Sequence, residues 1–199
     1  MRGYVLAVLV AGVMATGCKD RFFQTSVHPF VDPIEAPGDL AGRWLADDDG
    51  GALVFVPSGP DGWRVLAVEV DPQGADQEEC LGVVHFGRAG GTLFWDMTAE
   101  PVPSDGLARE HVLALHSVAR VRLEGDTMEI AFLQPDWIAA ALADGRLALA
   151  HFQDEDGGVV LAAPRPELEA FLQVYGDDPG AFGLPQAFHR GRDGKEPLG

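Results

Sequence analysis

The feature that most limits how this chain can fold is an alternation. Ala119, Val121 and Leu123 are apolar and are interleaved with Arg120, Arg122 and Glu124. Gly125-Asp126 then turns the chain, and Met128, Ile130 and Phe132 repeat the pattern against Thr127, Glu129 and Ala131. Successive side chains on a strand point to opposite faces, so period two with one apolar face predicts a half-buried antiparallel hairpin.

Similar signals recur along the chain. Arg43 to Ala46, Ala52 to Pro57, Trp63 to Val70, Cys80 to Phe86, Thr92 to Thr98, Leu147 to Phe152 and Val159 to Ala162 read as further strands. Gly-, Pro- and Asp-rich turns separate most of them. Two helices interrupt the series. Pro135 suits a first helical position and Gly145 a stop, with Trp137, Ile138, Ala141 and Leu142 as one apolar stripe. Leu168, Phe171, Leu172 and Tyr175 form a second stripe between Pro166 and Gly176. The expected class is mainly β with two short helices, as an antiparallel up-and-down barrel. The alternative is an antiparallel α+β sheet with helices on one face.

The chain divides into four parts. Residues 1–17 read as a leader, 18–38 as a tether with Pro29, Pro33 and Pro37, 39–182 as a single β-rich domain, and 183–199 as a disordered tail. The net charge of −17 argues against nucleic acid as a partner, because so acidic a body cannot neutralise rows of phosphates.

Arg2 precedes an uncharged, mostly apolar run from Tyr4 to Thr16, too short to cross a bilayer comfortably. Ala15-Thr16-Gly17-Cys18 follows and resembles the lipobox of bacterial lipoproteins. The resemblance implies cleavage after Gly17 and fatty acylation (palmitate-type chains) at Cys18. Lys19 stands where an Asp would signal inner-membrane retention, which implies an outer-membrane anchor on the periplasmic or surface face. A secreted or periplasmic protein is the alternative. Removing residues 1–17 takes away Arg2 and no acid, so the lipid must hold the membrane without a basic patch.

Asp39-Leu40-Ala41-Gly42-Arg43-Trp44 opens the first strand of the expected domain. Gly42 and Trp44 resemble the Gly-x-Trp signature of lipocalins and related calycin barrels. That likeness implies that Trp44 closes the barrel floor beneath a basic side chain, for which Arg120 or Arg122 is the candidate. The lipocalin Thr-Asp-Tyr signature is absent, and a helix is inserted at Pro135. The chain is also similar to bacterial lipoproteins of unassigned activity that open with Gly-x-Trp and end in a Leu/Phe-rich helix.

Catalytic constellations are not recognisable. Ser58, Ser104 and Ser117 lack an elbow or a paired base, and neighbours such as His116 and Ser117 point to opposite faces of a strand. Cys80 and His85, like His111 and His116, are five residues apart, which opposes joint metal ligation on a regular strand. Asp47-Asp48-Asp49 and Asp154-Glu155-Asp156 read as solvated turns. No cofactor is expected. Asp96, inside the apolar run Leu93 to Met97, needs a cation or donors if buried, and His116 and Arg120 share a face with which it could form a polar network. The expectation is a lipid-anchored envelope protein without catalysis, binding a small apolar ligand in its barrel. The alternatives are an acidic module that recruits an envelope protein and, more remotely, a hydrolase.

Overall fold

The computed structural model describes residues 24–47, 51–70, 76–99, 114–154 and 158–191. Its centre is a closed eight-stranded antiparallel barrel. β1 is Thr25–Ser26 and lies outside the ring. β2 (Gly42–Ala46), β3 (Ala52–Ser58), β4 (Gly62–Val70), β5 (Asp76–Ala89), β6 (Thr92–Thr98), β7 (His116–Glu124) and β8 (Thr127–Phe132) form an up-and-down meander. The alternating hairpin read from Ala119 to Phe132 is β7–β8, with Val121 opposite Ile130.

The ring is closed by a strand that composition conceals. Gln186–Arg190 is β11, and it pairs with β8 on one side and β2 on the other. The expected tail from residue 183 is therefore corrected: the ordered domain runs at least to Gly191. Gly, Pro and charge around residues 183–199 resemble a solvated terminus. Five residues suffice here because both neighbouring strands supply the hydrogen bonds and Phe188 enters the core.

Between β8 and β11 the chain makes α1 (Pro135–Ala143), β9 (His151–Gln153), β10 (Val159–Leu161) and α2 (Arg165–Tyr175). β9 and β10 form a hairpin, and β10 joins β1, which in turn joins the first residues of β7. The helices pack on the outside of the barrel wall. Two apolar cores result. One fills the barrel with Trp44, Phe55, Phe86, Trp95, Met128 and Ile130 among others. The second lies between the wall and the helices, where Phe94, Val118 and Ala131 meet Ile138, Leu168, Phe171 and Leu172. β6 is buried on both faces, which is why Leu93 to Met97 reads as a run rather than an alternation.

Residues 24–40 are a strap rather than the free tether expected over 18–38. Phe30 and Val31 are buried in the outer core. Val31 lies flat on Gly87, where an added Cβ would meet its side chain at 2.4 Å. Ile34 N–H then bonds Phe86 C=O at 2.7 Å, on the edge of β5 that runs beyond β4. Ala36 and Leu40 finally plug one end of the barrel.

A chain ending at Leu184 lacks β11 and leaves β8 and β2 with unpaired edges. It should lose cooperative unfolding and self-associate, as read by circular dichroism and size-exclusion chromatography. A truncated chain that stays monomeric with an unshifted melting temperature would show that the seam is dispensable.

Candidate functional site

Among the described residues Asp96 is the one charged residue that is buried. β6 pairs with β7 so that Asp96 faces Val118 and Thr98 faces His116, on the outer side of the wall. His116 Nδ1 lies 2.6 Å from Asp96 Oδ1, and Asp96 Oδ2 accepts the Phe30 N–H. Asp96 is 4% exposed. Asp96 and His116 are two of the three members of the expected network. What sequence could not supply is the third partner: the backbone of the strap, brought from 66 residues away. A buried carboxylate needs donors, and here it receives one from each of two elements that it ties together.

Arg120 is not part of this network. It shares the face but points toward the end of α2, donating to Gly176 C=O at 2.9 Å, with Asp177 at 3.8 Å. The group is thus a latch for the strap, not a convergence of polar groups in a cleft.

Gly42 and Trp44 occupy the barrel end. Gly42 has φ +107°, a region closed to most side chains, which gives the motif glycine its reason. Trp44 is fully buried and donates its indole N–H to Leu40 C=O at 3.0 Å. The cation over its ring is Arg190 of β11, 4.5 Å from the ring centroid, and neither Arg120 nor Arg122. Those two alternate with inward residues of β7 and so face outward. Arg190 also donates to Ala41 C=O and Asp39 C=O and pairs with Asp126 at 3.3 Å. Cation and ring together are worth about 0.5–2 kcal/mol.

A cleft of about 670 Å³ lies at this same end. β6 pairs with β7 only as far as Leu93 and Val121, while β7 runs on to Glu124. The resulting gap is walled by Pro37 to Asp39 of the strap, Leu93, Val121 and Leu123. Arg88, Arg120, Arg122 and Arg190 line it, together with Asp39, Glu129 and Asp177. The sequence reading did not find this cluster, because its arginines come from three strands.

The remaining candidates do not assemble. Cys18 and His111 lie outside the described residues. Cys80 and His85 do share a face, contrary to the expectation from their odd spacing. Val65 pairs with Gly82 but Leu66 pairs with Cys80, so Leu81 is a bulge that reverses the parity. Among the described residues no group of three or more His, Cys, Asp or Glu could hold a metal ion. No protein-family model, curated protein or solved structure matches this chain.

Asp96→Ala leaves the Phe30 N–H buried without an acceptor and should cost about 1–3 kcal/mol in denaturant unfolding. Amide exchange at Phe30 should accelerate. Asp96→Asn keeps an acceptor and should cost less. Unchanged exchange at Phe30 in Asp96→Ala would remove the latch role.

Proposed function

We propose that this chain is a lipid-anchored protein of a bacterial envelope that works as a tethered interaction module. Its anchor is Cys18, read from the order of charge, apolar run, small residues and cysteine in the first eighteen residues. The outer membrane is the favoured site, from Lys19 after that cysteine.

The observation that favours a module over a carrier is the occupied barrel axis. Trp44, Phe55, Phe86, Trp95 and Met128 are each no more than 1% exposed and pack against one another. A carrier of an apolar guest needs that volume for the guest. Trp95 Nε1 has no hydrogen-bond partner among the described residues, but the rings of Phe55 and Phe132 stand 6.4 and 5.4 Å from its own. A hydrolase is also disfavoured, since the Asp96 carboxylate is engaged by the strap instead of facing a cleft.

The strap sharpens the picture of tethering. With Gln24 already fixed by bonds to Leu133 C=O and Val159 C=O, only Lys19 to Phe23 lie between the acylated residue and the fold. That length reaches roughly 20 Å when extended, so the acidic domain stays close against its membrane. Its net negative charge would steer a basic envelope partner toward it.

Cys18→Ser should move the protein from the membrane fraction to the soluble fraction, or leave it unprocessed, as read by fractionation and intact-mass analysis. Continued membrane attachment would end the lipoprotein reading. An organic extract of natively purified protein should yield no apolar molecule at one equivalent by mass spectrometry. Recovery of such a molecule would restore the carrier.

A further inference from the structure

The barrel ring closes on itself, but the sheet that leaves it ends in an open edge. β10 joins β1 on one side and β9 on the other, and β9 (His151–Gln153) is the last strand in the order. Ladder geometry fixes which way its backbone points. The Ala162 N–H bonds Ala150 C=O at 2.7 Å and the Asp154 N–H bonds Gly158 C=O at 2.9 Å, with Phe152 opposite Val160 between them. Residues 150, 152 and 154 thus face their main-chain groups toward β10. Bonding alternates along an antiparallel strand, so the N–H and C=O groups of His151 and Gln153 point away from β10. Among the described residues no strand pairs with that side. All three residues are exposed, the Phe152 side chain included.

Edge strands are commonly blunted by Lys, Pro or a bulge, and β9 carries none of these. Its one local cover is the His151 imidazole, which donates from Nδ1 to Leu149 C=O at 2.9 Å and so closes the edge just before the strand. Phe152, Val160 and Thr25 stand in one row across β9, β10 and β1. A strand added antiparallel to β9 would set one residue opposite Phe152 in a non-hydrogen-bonded pair, with Cβ atoms about 4.5–5.5 Å apart. An apolar side chain at that position covers the ring. Charge selects the occupant. Asp154-Glu155-Asp156 follows β9 in the sequence, and Arg146 before it is already paired with Asp144 at 2.7 Å. A second copy, also carrying −17, is repelled, whereas a basic segment is attracted.

We propose that β9 is a docking edge for an extended, basic segment of a partner protein. The segment adds an antiparallel strand beside His151–Gln153, lays an apolar residue over Phe152 and sets its Lys or Arg residues beside Asp154-Glu155-Asp156. The proposal rests on the interaction-module reading and gives its partner a form, but it does not depend on the anchor. Two N–H and two C=O groups supply the contact, so the partner is chosen by extended shape, alternation and charge. Thr25 lies two strand spacings from Phe152, roughly 10 Å, so the partner is held beside the start of the fold.

Isotope-labelled full-length protein in a neutral detergent is titrated with the acetylated, amidated peptide Lys-Lys-Thr-Val-Thr-Val-Thr and followed by NMR and amide exchange. Saturable binding is expected below about 1 mM, weakened by added salt. The amides of His151 and Gln153 should exchange about tenfold more slowly or better in the complex, while that of Phe152, already directed at β10, stays unchanged. With a valine over Phe152, the threonine N–H groups face β9. N-methylation of the threonines should therefore weaken binding by about tenfold, and N-methylation of the valines should not. Replacing both lysines by glutamates should weaken it by a similar factor. Gln153→Pro removes a donor that faces the open edge, so it should melt like the parent and bind about tenfold more weakly. Phe152→Asp is a second exposed substitution with the same expected loss. Dimerisation abolished by Gln153→Pro would assign the edge to a second copy and overturn the basic partner. No saturation up to about 5 mM, unchanged exchange at His151 and Gln153, or unchanged binding by both variants would each overturn the docking edge. Intact mass of the same sample separates this from the anchor: unacylated protein that binds removes the anchor alone, and acylated protein that does not bind removes the edge alone.

Discussion

The seam that Gln186–Arg190 makes with β8 and β2 is what the rest of the molecule rests on. Without it the seven-stranded meander would expose two edges, and the interior around Trp44 would open to water. The seam also carries Arg190, whose guanidinium covers the Trp44 ring while its N–H groups hold the carbonyls of Asp39 and Ala41. One side chain therefore joins the last strand, the first barrel strand and the strap that plugs the barrel end. Closure and plugging share this one side chain.

A second consequence follows from the residues inserted between β8 and β11. They return helices to the outside of the wall, so β6, the first half of β7 and part of β8 are buried on both faces. A wall with two dry faces has no solvent side on which to place a polar residue. Asp96 is placed there nonetheless, and it is tolerated because His116 and the Phe30 N–H satisfy it. Of these two bonds, the one from Phe30 N–H is what fixes the strap to the wall.

Charge is distributed with similar economy. The surface is strongly acidic, and cations are concentrated where the strap, the end of β7 and the start of β6 meet. Local periodicity reports which face a side chain occupies, not which distant strand it will stand beside. Arg88, Arg122 and Arg190 are therefore unremarkable in sequence, and their meeting is a product of barrel shear and closure.

Much of the fold was legible from residues alone. β2 to β8 lie where alternation and turns put them, as do both helices, and of the expected network of Asp96, His116 and Arg120 the first two meet. Three elements were not legible for identifiable reasons. β1 is two residues long, β11 sits in a segment whose Gly and Pro resemble a solvated end, and the strap has no period because it follows the barrel surface rather than a ladder. The parity argument failed at Cys80 and His85 because a bulge inserts one residue, which periodicity cannot foresee. The sequence by itself determined which residues form strands and which of their faces are apolar, since both depend on nearest neighbours and on period two. The tertiary structure alone decided which cation covers Trp44, what satisfies Asp96 and where four arginines converge, because each depends on chain segments that only barrel closure brings within bonding distance.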